Sequence, residues 1–201
     1  MTDRSHVAAN LITAGVVADT IFLFLHTDSE ILHYIGTQTV EFLKTNNHMP
    51  LFAHVGFSIL LYLIGSFFPD IDSQDSQIGR YFYVPIPHRT WLHAIYIPAM
   101  FCIAGIRYRT LFFFGLGIFF HDFWDSFSRT GINWFYPIKN KHHIFKLYYT
   151  GKPSEYILLG VILTLSVIYT VFCFQYAYNF IPIGSPSELG TVSLAGTQFC
   201  L

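Results

Sequence analysis

The stretch ILLGVILTLSVIYTVFCF, residues Ile157 to Phe174, contains no Asp, Glu, Lys or Arg. A bilayer core asks for roughly 20 mainly apolar helical residues, so this run reads as a transmembrane helix. It sits inside a longer span free of those four residue types, Tyr156 to Ser187. Working outward along the chain, Leu51 to Pro69, Thr90 to Ile106 and Thr110 to His121 share that property. The last two are separated only by Arg107, Tyr108 and Arg109, a spacing that predicts a helical hairpin. Thr110 to His121 is short for a full crossing, so it continues through Phe123, Trp124 and Phe127, tilts, or ends inside the membrane boundary. Val7 to Leu25 is apolar apart from Asn10 and Asp19 and reads as an uncleaved first span, because no convincing small-residue cleavage site follows it. The expected fold is therefore all-α, a polytopic integral membrane bundle of about four to five transmembrane or membrane-embedded helices. Three regions follow: an N-terminal apolar helix with a polar connector over 1–50, a core over 51–160, and a C-terminal transmembrane helix with a flexible tail over 161–201.

Composition agrees with that reading. Hydrophobic residues make up 53% of the 201, and charged residues only 11%, against about 25% in soluble domains. Eleven Lys and Arg nearly cancel twelve Asp and Glu, which leaves no basic excess for wrapping nucleic acid and excludes a disordered charged tail. Cys102, Cys173 and Cys200 are too scattered for a disulfide framework or a zinc ribbon and read as buried thiols. Positive residues in short loops mark the cytoplasmic side. Arg129, Lys139, Lys141, Lys146 and Lys152 place the segment from Asp122 to Glu155 there. Alternating spans put Asp70 to Arg89 on the same side, although they also put Arg107 and Arg109 outside.

The polar residues fall at the ends of the apolar runs. His121 and Asp125 are four apart, so on a helix they lie one turn above the other and can hold one cation between imidazole and carboxylate. Asp70 and Asp72, after Pro69, would repel each other unless solvated or shared by a cation; Asp75 reads as a solvated turn residue. His88 and His93 are five apart and cannot face one site from a continuous helix. Pro85 and Pro87 are expected to hold His88 in a loop, with Thr90 capping the next helix and His93 in its first turns. Arg89 meets an anionic substrate or pairs with Asp70 or Asp72. His54 opens the run that ends at Asp70, about 24 Å away along an unbroken helix, so it is a bystander, belongs to a bent segment, or serves a second ion. His6, His26, His33 and His48 have no partner at ligand spacing and are expected at the surface. His142 and His143 lie in a basic stretch suited to lipid headgroups.

Five motifs in this order resemble the YdjM-like family of membrane-bound metal-dependent hydrolases: His54-Val55-Gly56-Phe57; Phe68-Pro69-Asp70-Ile71-Asp72; His88-Arg89 with His93; His121 and Asp125 followed by Gly131 and Pro137; and Thr150-Gly151-Lys152-Pro153-Ser154-Glu155. The resemblance covers about residues 48–160. Where that family runs Gly-x-Thr-His-Ser after His-Arg, this chain has Thr90-Trp91-Leu92-His93-Ala94, keeping the histidines and losing the small and hydroxyl residues. The family is distantly similar to zinc-dependent phospholipases C and single-strand nucleases. The resemblance implies that His121 and Asp125 form a ligand pair, that Asp70 or Asp72 and one of His88 or His93 complete the first site, and that His54 belongs to a further ion, with Glu155 a weaker candidate. It implies a divalent metal, zinc or else manganese or magnesium.

The expected function is hydrolysis by metal-activated water, with Asp70 or Asp72 as ligand or base and Arg89 stabilising phosphate charge. The substrate expected for such a membrane-embedded mouth is a phosphoester in a lipid or lipid-linked molecule, the membrane being the cell's inner or plasma membrane. Ionisable residues within membranes also mark transport paths, so the rival readings are a small transporter or ion channel and a non-catalytic binding or immunity protein.

Overall fold

The computed structural model describes residues 2–44, 51–139 and 145–180. Among these residues six helices follow one another: α1 (Asp3–Leu25), α2 (Glu30–Lys44), α3 (Leu51–Phe67), α4 (Tyr96–Arg107), α5 (Arg109–Ser126) and α6 (Pro153–Phe180). Short 3-10 turns occupy Phe68–Asp72 and Trp91–His93. Among the described residues no strand forms; an isolated bridge joins Ser128 and Tyr148. The all-helical expectation holds, and the 26–50 connector gains a helix of its own in α2.

Among the described residues two helices are long and apolar enough to cross a membrane, Arg4–Leu25 and Pro153–Ala177. They pack side by side, and toward the C-terminal end of α1 their contact is polar. The Thr170 hydroxyl donates to the Asp19 carboxylate, and Thr20 Oγ1 lies 2.9 Å from Tyr169 Oη. In hydrocarbon, where apolar surface gains nothing from helix contact, such bonds hold helices together. The remaining helices are shorter: α3 has 17 residues, α4 has 12 and α5 has 18.

The site rests on the packing of α5 against α3 and α4. Tyr108 alone links α4 to α5, which is the expected hairpin, and α5 runs on past His121 as the sequence suggested. The α3–α5 approach is close enough to require glycine: a Cβ on Gly117 would lie 2.1 Å from the Tyr62 carbonyl oxygen, and one on Gly65 would lie 2.2 Å from that of Phe114. Small residues at such crossings let backbones touch.

One local expectation needs correction. Thr90 does not cap a helix through its side chain; its hydroxyl donates back to the Pro87 carbonyl. His93 lies in the 3-10 turn, and α4 starts only at Tyr96. Pro98 fixes that start, since a proline lacks the amide hydrogen and is tolerated only in the first helical turn.

A candidate metal centre

α3 ends in the Phe68–Asp72 turn, with Pro69 at its start, and the turn buries both carboxylates: Asp70 is 9% exposed and Asp72 is 3%. Opposite them, the last turns of α5 bury His121, Asp122 and Asp125. His93 comes from the turn before α4 and is fully enclosed. The first turns of α1 add a residue the sequence reading placed at the surface. His6 is only 2% exposed, its ring stacks on His121 with centroids 4.0 Å apart, and its Nε2 donates to Asp125 Oδ1 at 3.0 Å. That correction has a simple cause: its partners lie more than a hundred residues away, so no local spacing could reveal them. The signal present was a His and an Asn10 one turn apart in an apolar helix, both of which the fold buries.

Among the described residues three groups of side chains bring ligand atoms within 4.8 Å of one another: Asp70, His88 and His93; His93, His121 and Asp122; and His6, His121 and Asp125. The first two share His93, and the last two share His121. Asp122, which sequence spacing did not single out, has both carboxylate oxygens buried with no hydrogen-bond partner. It was missed because the four-residue spacing of His121 and Asp125 selects one face of α5, whereas this end of the helix is enclosed on more than one face.

The ring nitrogens define which atoms are available. His121 Nδ1–H donates to the Ser66 carbonyl at 2.7 Å, which leaves the Nε2 lone pair facing Asp70 Oδ1 at 3.5 Å. His93 Nδ1 lies 3.6 Å from Asp72 Oδ2, and neither of its ring nitrogens is hydrogen-bonded. These separations exceed those of a normal hydrogen bond. They lie close to the spacing of two ligand atoms on one tetrahedral ion, about 3.4 Å for metal–ligand bonds near 2.1 Å. The donor set, nitrogen and carboxylate oxygen with a backbone carbonyl fixing one imidazole, suits zinc and also admits manganese.

His88 is more exposed, and its Nδ1–H donates to Asp72 Oδ1 at 2.5 Å. Burial would raise the Asp72 carboxyl, but the hydrogen bond from His88 and the nearby His93 imidazole outweigh it and hold the group below the usual carboxylate range. Asp70 follows the same pattern: burial opposes ionisation, and His121 more than offsets it.

Arg89 adopts a left-handed backbone conformation, φ 64°, which costs a non-glycine residue energy unless its surroundings fix it. Its guanidinium supplies that fixation. It pairs with Asp125 Oδ2 at 3.1 Å and donates to Ser128 Oγ at 2.9 Å, to the Gly131 carbonyl at 3.0 Å and to the Thr130 hydroxyl. Of the two alternatives raised for Arg89, its side chain takes an ion pair, though with Asp125; Asp72 receives only its backbone N–H, at 3.3 Å.

Other candidates lie apart. The backbone of His54 sits in the opening turns of the unbroken α3, far from Asp70, and its side chain falls outside the described residues. Glu155 is fully buried, but its carboxylate accepts the backbone N–H groups of Thr2 at 2.7 Å and Gly151 at 2.6 Å, tying α1 to the start of α6. Asp75 is exposed, as expected. His48, His142, His143, Lys141, Cys200 and the tail after Phe180 lie outside the described residues. Cys102 and Cys173 are free thiols, the second buried.

Asp70, His88, Arg89 and Asp125 form part of the lining of an open cleft of about 510 Å³. Neither the curated proteins nor the solved structures contain a match to this chain. A family model described as YdjM inner membrane protein matches residues 31–183. That match reaches further than the 48–160 of the motif resemblance, taking in α2 and α6, while α1 with His6 lies before it. On this match the chain belongs to the YdjM inner membrane protein family.

Proposed function

We propose that the protein is a membrane-embedded hydrolase that uses a divalent metal, zinc first and manganese or magnesium as alternatives, to cleave a phosphoester in a lipid or lipid-linked substrate. The observation that carries this reading is the set of enclosed ligand atoms on His93, His121 and Asp122 that no protein group satisfies. Asp70, His93, Asp122 and His121 through its one free nitrogen, with His88 at the exposed edge, would hold one ion; His6 and Asp125 would serve a second. A bound divalent cation supplies a water acidic enough to attack at neutral pH and an electrophile for a phosphoryl oxygen. Asp70 lines the cleft and Asp72 does not, so Asp70 is the carboxylate able to take a proton from water there. Asp72 acts as a positioning residue, fixing the imidazole of His88 and facing that of His93. Arg89 adds positive charge to the cleft wall while anchoring Asp125.

The reading also places α3 and α4 within the membrane beside the two long helices, because their outer faces expose Ile59, Leu60, Met100, Ile103 and Ile106, and it carries α5 with them through its packing against both. The open cleft then faces the cytoplasm, on the side marked by the basic loops.

The test uses the full chain purified in detergent. Metal content is measured in the native protein and in His121→Ala and Asp125→Ala, alongside phosphate release from a lipid-linked phosphoester. Bound metal that falls in both variants together with phosphate release supports the hydrolase. A native protein that binds no zinc, manganese or magnesium refutes it, and metal-independent ion flux in proteoliposomes without phosphate release favours the transporter.

A further inference from the structure

The cleft above the candidate centre is within the size range of pockets for whole ligands, about 300–1,000 Å³, and at about 510 Å³ it holds more than one phosphate group. Its charged lining is balanced: Arg4, Arg80 and Arg89 face Asp70, Asp75 and Asp125. Beneath that lining the enclosed carboxylates of Asp72 and Asp122 add two negative charges, so one divalent cation at the floor is offset, and a second leaves the cleft net positive and complementary to a polyanion. The three arginines are not equivalent. Arg89 is committed to Asp125, Ser128, Thr130 and Gly131. Arg4, in the first turn of α1, and Arg80, in the loop after the Phe68–Asp72 turn, keep exposed side chains. Among the described residues neither guanidinium has an ion pair or a hydrogen-bonded acceptor. Two unspent guanidiniums from separate elements lining one cleft can take phosphate oxygens in the planar, two-pronged geometry that arginine favours.

We propose that Arg4 and Arg80 clamp a second anionic group of the substrate, so that the site takes a diphosphate ester in preference to a monophosphate. This rests on the metal-dependent phosphoesterase reading of the floor. The reacting phosphate lies over Asp70 and the histidines, and the neighbouring phosphate meets Arg4 and Arg80. Both arginines are specificity-determining residues and neither is placed among the metal ligands.

Binding decides the matter without reference to turnover. The full chain in lipid nanodiscs, supplied with zinc or manganese, is titrated calorimetrically with inorganic pyrophosphate and orthophosphate, and in a second arm with a prenyl diphosphate and its monophosphate. The native protein is expected to bind the diphosphate about tenfold more tightly than the monophosphate, the gain of a charge-assisted contact. Arg4→Gln and Arg80→Gln should each remove most of that preference while leaving bound metal and orthophosphate affinity unchanged. A preference shown by the prenyl compound and absent for pyrophosphate identifies a lipid source; an equal preference in both arms identifies the headgroup alone as the ligand. No preference in the native protein, or an undiminished one in the double variant, overturns the clamp. Failure of the metal reading looks different: no metal is retained, while the diphosphate preference still depends on the two arginines.

Discussion

A carboxylate enclosed as completely as that of Asp122, with neither oxygen hydrogen-bonded, is costly to keep charged in a protein interior unless a cation meets it. Two opposite effects are therefore expected of Asp122→Asn. Metal affinity should fall by at least tenfold, while the chelator-treated variant should unfold at a higher temperature than the chelator-treated native protein, because the amide carries no charge to bury. Metal titration and thermal unfolding of the same samples check both; equal metal affinity in the two proteins would remove Asp122 from the centre. His6→Ala is expected to weaken metal binding by about 10–100-fold, the range for groups that hold or orient ligands. Retention of native affinity would reduce His6 to a hydrogen-bond donor for Asp125. The sequence made Asp70, His121 and Asp125 legible because each falls at the end of an apolar run, where an ionisable group needs a reason. It left His6 illegible because its meaning depends on the docking of α1 against α5, a contact between distant parts of the chain.

At the level of elements, the junction of α3 and α5 links packing to chemistry. Gly117 faces the Tyr62 carbonyl, and a Cβ there would also come within 2.9 Å of the Ser66 amide nitrogen. Ser66 is the residue whose carbonyl fixes the His121 ring. Gly117→Ala should thus act twice: overpacking should destabilise the bundle by about 1–3 kcal/mol, and the shift of α3 should loosen His121 and weaken metal binding. A variant with lowered thermal stability and native metal affinity would show that the carbonyl contact survives the strain. Charge-free runs located α3, α4 and α5, and the three residues Arg107, Tyr108 and Arg109 between the last two runs predicted the α4–α5 hairpin. The 3-10 turns were less legible. Whether Asp70 and Asp72 lie in a tight turn or an extended tail depends on what the end of α3 meets, and the apolar pattern of Thr90 to Ile106 conceals that its first residues leave the helix.

On the scale of the whole molecule, the ligand-bearing segments meet at one end of the bundle although they are scattered through the chain. A metal bound there joins the start of α1, the turn after α3, the turn before α4 and the end of α5. Ligands that bind only the folded state raise its stability by mass action, by about 2.7 kcal/mol at a hundredfold excess over the dissociation constant. Zinc at that excess is therefore expected to raise the unfolding midpoint of the chelated protein, and unchanged melting would argue against a centre that bridges these segments. The membrane class was readable from composition alone. The number of crossings was not, because α3, α4 and α5 are shorter than α1 and α6 and carry their polar residues at one end.

The dispersal of these side chains along the chain also sets the order in which the centre can come into being. Synthesis delivers His6 first, then Asp70, His88 and His93, and only with the end of α5 do His121, Asp122 and Asp125 arrive. A nascent chain halted before that helix has entered its place holds an incomplete set of these side chains, so a metal bound through all of them would have to wait until the end of α5 is threaded.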